Sequence, residues 1–461
     1  MPADTQADLK KEYPETRVMS GFMELLPEEQ IEFDKIKATI LETYQSFGFT
    51  ALDTPVIERI EVLRAKDVGE TATQIYEIEP RGEQSESKSG LRFDLTVPLA
   101  RYVAGHFNSL SFPFRRCHID KVYRGERAQK GRFREFYQCD VDVIGHNTLS
   151  IRYDAEIPSI IYQLFKKLNF GKFTIRVNNR KLLNGLVDSL GCSAPTEKVL
   201  GVIDRIEKVT SDKFAGQMKE IGLTDAMIDS LVKFFEIKGS NAEVLQHLKD
   251  FGVDNEDYRS GLSELETVVD FMKALGVDED YYKIDPIIVR GLSYYTGTVY
   301  ETVLDDYPKI GSVCSGGRYD NLAENYTKEK LPGVGISIGL TRLFYQLREI
   351  GLIGCANKTS ADVIIVPKDD CNIPFSLSVG QQLRAAGINI DVLLEALNLK
   401  KKFAYVSRKD TPFTIVIGED EEKSNCATLQ YKKPDGTIEK QVVPAADLAA
   451  EIKHIMGLSA Q

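Results

Sequence analysis

Residues Arg115 to Val143 read RRCHIDKVYRGERAQKGRFREFYQCDVDV, two strand-like runs around a basic loop. Between Arg115 and Arg134 stand eight basic and two acidic residues, although the whole chain of 461 residues has a formal charge of -11. A concentrated positive field on an acidic protein suits one phosphate-rich ligand held in one place, whereas a duplex-binding surface spreads its cations more widely. On charge alone, a solvated basic hairpin tip explains the loop equally well. The alternation of the second run favours the ligand. Successive residues of a strand point to opposite faces. Phe136, Gln138, Asp140 and Asp142 therefore share one face, and Tyr137, Cys139, Val141 and Val143 the other. One face is fit for a core; the other carries a ring, an amide and two carboxylates beside Arg124 and Arg132. A ring among guanidinium groups suits a purine with its phosphates, because a base stacks on either plane.

Upstream, Pro27 to Phe47 is predicted to be an amphipathic helix, with Ile31, Ile36, Ile40 and Tyr44 near helical spacing. Phe49 to Ile57 reads as a strand and GEQSESKSG (Gly82 to Gly90) as a turn-rich loop. LRFDLTVP (Leu91 to Pro98) alternates with period two. A strand there turns Leu91, Phe93, Leu95 and Val97 to a core and Arg92, Asp94 and Thr96 to a cleft or to solvent.

Downstream, from about Asn179 to Asp285, strand signals nearly vanish. Leu265, Val268, Val269, Met272 and Leu275 fit an amphipathic helix, as do Val199, Ile203 and Ile206, so a helical domain interrupts a sheet-based one. Strand patterns return at Ile287 to Arg290 and Gly297 to Leu304. They continue through GSVCSGGRYD (311–320) and GVGISIG (333–339), with a helix from Leu340. GVGISIG lacks the spacing and position of a dinucleotide loop, and no GxxxxGK[ST] is present, so a nucleotide site here is not a P-loop. In the last hundred residues Val363 to Val366, Ile388 to Val392 and Phe413 to Ile417 make a βαβαβ pattern. A hairpin at Pro434-Asp435-Gly436 and a closing helix follow.

Composition sets the remaining bounds. The length fits about three domains at roughly 150 residues each. No apolar run approaches the ~18–20 residues of a membrane span, and no export or organelle signal is visible at the N-terminus. The seven cysteines are scattered, without a CxxC pair or a Cys/His cluster. No zinc site is expected, and a cytoplasmic location is.

These pieces together resemble a class II aminoacyl-tRNA synthetase, and most closely the histidyl-tRNA synthetase family, from about residue 18 to the end. The family's motif 2 is matched by Tyr123-Arg124-Gly125-Glu126-Arg127, Gln129-Lys130-Gly131-Arg132 and Phe136. Motif 3 is matched by GVGISIGLTR, ending at Arg342, and the histidine-specific RGLxYYTG by Arg290 to Gly297. The resemblance implies an α+β catalytic domain with a mostly antiparallel sheet flanked by helices (1–178 and 286–350). It also implies a helical insertion (179–285) and a C-terminal α/β anticodon-binding domain with a mixed five-stranded sheet (360–461).

By the same resemblance, Arg124 binds the α-phosphate of ATP and the amino-acid carboxylate. Glu126 contacts the adenine side, Arg132 the outer phosphates and Arg342 the γ-phosphate end, while Phe136 stacks on the purine. Asp94, Thr96 and Gln138 receive the α-amino group of histidine. Asp142 and Tyr295 read the imidazole, Tyr294 and Tyr319 wall the pocket, and Arg290 is the catalytic cation. The implied partners are histidine, ATP with Mg2+, tRNA(His) and a second copy of the chain in a homodimer, with no membrane. The implied reaction runs through a histidyl-adenylate. The alternative is a non-catalytic paralogue acting as a regulatory or uncharged-tRNA-sensing subunit. The chain departs from the family pattern at Ser293, where Asp is usual, at Thr341, where Glu is usual, and in SGFMELLPEE (20–29), which lacks the usual arginine.

The chemistry is consistent with an arginine-rich site that has no Ser/His or Cys/His arrangement. A carboxylate attacking a phosphate is already ionised, so the task is to stabilise gathering negative charge. A pocket built on hydrogen bonds rejects analogues lacking them by roughly 10⁴–10⁵-fold, so no editing domain is expected.

Overall fold

The computed structural model describes residues 15–65, 73–79, 88–127, 130–206, 209–288, 295–321, 323–354, 358–433 and 435–457. It divides into two compact units, one built on residues 37–352, the other on 353–461 together with residues 25–36.

In chain order the first part runs α1 (Pro27–Ser46), β1 (Thr50–Ala51), β2 (Ile57–Arg59), α2 (Ile60–Leu63), β3 (Glu77–Ile78), β4 (Ser89–Leu91) and α3 (Thr96–Gly105). The hairpin β5 (Phe114–Tyr123) and β6 (Glu135–Ile144) follows, then α4 (Tyr153–Leu168) and β7 (Phe173–Asn179). Six helices come next: α5 (Arg180–Ser189), α6 (Thr196–Ile203), α7 (Ser211–Glu220), α8 (Asp225–Phe235), α9 (Asn241–Asp250) and α10 (Glu256–Ala274). Asn179, Thr210, Thr224, Ser240 and Asn255 cap five of them by accepting a first-turn N–H, as short polar side chains do at helix starts. The chain then returns through β8 (Tyr282–Ile284), β9 (Thr298–Leu304), β10 (Ser312–Tyr319), β11 (Gly333–Gly339) and α11 (Leu340–Glu349).

Eight of these strands form one sheet in the order β1-β5-β6-β11-β10-β9-β7-β8. Only the outer pairs β1–β5 and β7–β8 are parallel. One face is sealed by α1 and α4. Tyr44 on α1 donates to the Cys139 carbonyl at 3.0 Å, and buried Asp154 on α4 holds Arg318 at 2.7 Å. The opposite face carries the polar residues of β5 and β6.

Three sequence expectations need correction. Leu91 to Pro98 is not a strand: β4 ends at Leu91 and α3 begins at Thr96. Asp94 Oδ1 accepts the Val97 N–H at 3.0 Å, and Pro98 falls in the first turn, where a missing N–H costs nothing. Arg92 through Val97 are all buried, so the alternation marks no solvent face. Phe49 to Ile57 breaks into β1 and β2, which join different sheets on either side of Pro55. Ile287 and Ile288 lie outside any strand. The sheet instead resumes at Tyr282, where Tyr282 and Ile284 are buried around exposed Lys283. Val289 and Arg290 lie outside the described residues.

The second unit has β12 (Val363–Pro367), α12 (Ile373–Ala385), β13 (Ile390–Val392), α13 (Leu399–Lys409), β14 (Phe413–Ile417), α14 (Glu419–Lys423), β15 (Cys426–Lys432), β16 (Ile438–Pro444) and α15 (Leu448–Ile455). Its five-stranded sheet, β13-β12-β14-β15-β16, is parallel in the first three strands and antiparallel in the last two, a mixed sheet as expected. Among the described residues no helix is long and apolar enough to cross a membrane.

Candidate active site

Cross-strand register builds the floor of the site. Arg116, His118 and Asp120 on β5 stand opposite Asp142, Asp140 and Gln138 on β6. Those three in turn face Gly335, Ser337 and Gly339 on β11. The glycines are a steric requirement. A Cβ on Gly335 would lie 2.2 Å from Asp142 Oδ1, and one on Gly333 would lie 2.3 Å from the Tyr319 ring. The glycine-rich run therefore leaves room for neighbouring polar side chains.

Asp142 is the best-held carboxylate. Arg116, with no exposed surface, places Nη2 2.8 Å from Asp142 Oδ2, and the Tyr319 hydroxyl donates to Oδ1 at 2.8 Å. Burial pushes the Asp142 carboxyl up, while Arg116 and Tyr319 pull it down. Among the described residues Asp140 has no basic side chain in an ion pair with it. Burial pushes it up to about 7, Asp142 and Asp94 add to the rise, and Arg116 and a Ser337 hydrogen bond oppose it. Asp94 is pushed up to about 6 by burial, against the Val97 N–H, Arg124, the Thr96 N–H and Arg116. Gln138 donates from Nε2 to Ser337 Oγ at 2.8 Å. Thr96 is buried at the start of α3, and the half-buried Tyr295 ring packs over Gly317, where an added Cβ would meet it at 3.1 Å.

The other end of the face is cationic. Arg124 donates from Nε to the Phe93 carbonyl at 3.1 Å, and its guanidinium carbon lies 5.0 Å from the Phe136 ring centroid. Exposed Arg132 pairs with Glu126 at 3.4 Å. Arg342 stands on the first turn of α11, exposed, with Nη2 donating to the Ile310 carbonyl at 3.0 Å. The basic loop and α11 lie together. The Tyr137 N–H donates to Thr341 Oγ1 at 2.8 Å, the Phe133 and Tyr345 rings are 5.4 Å apart, and Lys130 pairs with Glu349. Thr341 is thus buried beneath β6, already hydrogen-bonded, and offers no carboxylate where the family usually has Glu. Arg290 and Tyr294, together with Ser293, lie outside the described residues.

Sequence reasoning missed Arg116, Ser337 and the Arg92 cluster, and left Asp140 without a role. Asp140 was legible on the polar face of β6, whereas Arg116 and Ser337 needed the strand register. Asp53, His118 and Asp120 bring ligand atoms within 4.8 Å of one another. They do not fit a divalent cation, because the buried Arg92 guanidinium already lies 2.5 Å from Asp120 and 3.9 Å from Asp53. Burial, Arg116 and Arg92 push the His118 ring down to about 4.

Comparison with known proteins agrees with this layout. A family profile described as histidyl-tRNA synthetase matches residues 21–343, and one described as anticodon binding domain matches 362–455. A Clostridium tetani protein named Histidine--tRNA ligase is 54% identical over 92% of this chain and 95% of its own. One of the same name from Finegoldia magna is 46% identical over 89% and 94%. The crystal structure of a Nostoc histidyl-tRNA synthetase superposes with a TM-score of 0.87 at 40% identity, covering 96% of this chain and all of that one. With motif, fold and relatives in agreement, this chain belongs to the histidyl-tRNA synthetase family.

Proposed function

We propose that the protein ligates L-histidine to tRNA(His) in two steps. The histidine carboxylate oxygen attacks the α-phosphorus of MgATP, diphosphate leaves, and histidyl-adenylate remains. A ribose hydroxyl at the tRNA end then attacks the acyl carbon, and AMP leaves. The observation that carries this reading is one continuous face: Asp142, held by Arg116 and Tyr319, at one end and Arg124 against Phe136 at the other. The first end suits a polar ring, the second a nucleotide.

In this reading Arg124 bridges the α-phosphate and the carboxylate, Phe136 stacks on adenine, Glu126 takes the adenine edge, and Arg132 and Arg342 take the outer phosphates. Arg290 completes the charge on the α-phosphate. Asp94, Thr96 and Gln138 take the α-amino group. Asp142 and Tyr295 read the imidazole beside Tyr294 and Tyr319, with Tyr319 acting through its hydrogen bond to Asp142. Preorganised cations around a charge-gathering phosphate supply the rate, and no general base is needed. Mg2+ arrives on the triphosphate as part of the substrate.

The reading extends to a homodimer, to a cytoplasmic location, supported by free thiols at all six cysteines among the described residues, and to anticodon binding by residues 360–461. Residues 1–178 and 286–350 form the catalytic part, and 179–285 the helical insertion. The regulatory alternative gains no support from relatives named as ligases. Amino-acid-dependent exchange of pyrophosphate into ATP, run with all twenty amino acids, tests the reading. Exchange with histidine alone is expected; exchange with another amino acid, or none, overturns it.

A further inference from the structure

Among the described residues four acceptors on the site face are buried without a hydrogen-bond donor: Asp94 Oδ2, Gln138 Oε1, Asp140 Oδ1 and Asp142 Oδ2. Only the last has a cation beside it, Arg116 Nη2 at 2.8 Å, which leaves three with neither donor nor ion pair. The carboxylates of Asp94 and Asp140 are 2% exposed, and Gln138 is 9% exposed. A buried polar atom without a partner costs free energy, so three around one face call for a common ligand. Their orientation is fixed by the protein. Gln138 Nε2 donates to Ser337 Oγ, and the Ser337 hydroxyl hydrogen-bonds Asp140, so the amide oxygen is left as the free end of Gln138. Asp94 is held at Oδ1 by the Val97 N–H, which leaves its Oδ2 free.

Charge points the same way. Asp94, Asp140 and Asp142 share the buried cation Arg116, whose Nη2 lies 2.8 Å from Asp142 Oδ2 and donates to the Leu95 carbonyl at 3.2 Å. Among the described residues the other two carboxylates are left with cationic influence from Arg116 and, at Asp94, from Arg124, but with no ion pair of their own. A ligand group with positive charge and three N–H donors matches three free acceptors, two of them carboxylate oxygens. An α-ammonium is such a group.

We propose that Asp140 is a further recognition residue of the amino-acid subsite, its Oδ1 taking one N–H of the substrate α-ammonium while Asp94 Oδ2 and Gln138 Oε1 take the other two. This deepens the histidine reading above and rests on it. Thr96 then gives up its direct contact with the ammonium for a positioning role, its N–H helping to hold Asp94.

The test is calorimetric titration of the full chain with histidine, histidinol and imidazolepropionate, which lacks the amine. The isosteric Asp140→Asn variant is expected to lose roughly tenfold or more in affinity for histidine and histidinol. Its imidazolepropionate affinity should hold or rise, and that also shows a folded pocket. Ser337→Ala, which releases both Gln138 and Asp140, should show the same selective loss on a smaller scale. Undiminished histidine binding in Asp140→Asn, or an equal loss for imidazolepropionate in both variants, overturns the assignment alone. Failure of the unmodified protein to bind histidine sinks the substrate reading and takes this assignment with it.

Discussion

Tyr319 on β10 reaches across β11 to donate its hydroxyl to Asp142 on β6 at 2.8 Å, over a gap of 177 residues in sequence. The bond passes over Gly333 and Gly335, the only kind of residue that leaves it room. It makes the imidazole end of the proposed pocket a product of three strands at once.

Tyr319→Phe tests that bond. Loss of one donor to a buried carboxylate costs about 1–3 kcal/mol, so the KM for histidine should rise roughly tenfold or more. The KM for ATP should stay near its starting value. Parallel rises in both, measured by pyrophosphate exchange, would count against an imidazole-side role.

Arg116→Met leaves Asp142 buried without its ion pair, a change that typically costs about 3–5 kcal/mol. Arg116 lowers the Asp142 carboxyl, so its removal raises that group further. A protonated Asp142 escapes the penalty. Urea denaturation should therefore show a larger deficit at pH 8 than at pH 5, and a pH-independent deficit would show that lost packing, not charge, dominates.

Asp140 should make the ligand-free protein less stable as pH rises. Arg116 and His118 on β5, Asp142 on β6, Ser337 on β11 and Asp94 surround it, and its folded value is about 7 against an unfolded 3.8. A group raised in the folded state gives stability that is present below the unfolded value and lost as pH climbs through the folded one. The advantage of Asp140→Asn over the parent should be smallest near pH 4, about the unfolded value, and grow to a few kcal/mol at pH 8. Equal denaturation midpoints at pH 8 would contradict this.

Gly335→Ala drives a methyl group to 2.2 Å from Asp142 Oδ1 and 2.5 Å from the Val141 carbonyl. Backbone on one side leaves little room to relax, so a loss of about 1–3 kcal/mol is expected from overpacking. Histidine binding should fall with it. A variant with an unchanged melting temperature and normal histidine KM would mean that the strands separate more easily than this packing implies.

Local pattern carried much of the fold. The period-two run from Phe136 to Val143 gave a strand with its polar face correctly placed, and helical spacing gave α1 and α10. The βαβαβ pattern gave the strands of the second unit. It misled at Leu91 to Pro98, because the segment is buried on every side and its alternation has no solvent to answer to.

The chain by itself determined its family, many of its helices and strands, and the basic loop ahead of Phe136, since these depend on neighbours a few residues apart. Tertiary structure alone decided that Arg116 neutralises Asp142, that Ser337 ties Gln138 to Asp140, and that Arg92 fills the cluster at His118. Those pairings follow from strand register and from burial, which set the distances between side chains and the cost of leaving a charge unmatched. Neither quantity is written in the spacing of residues along one segment.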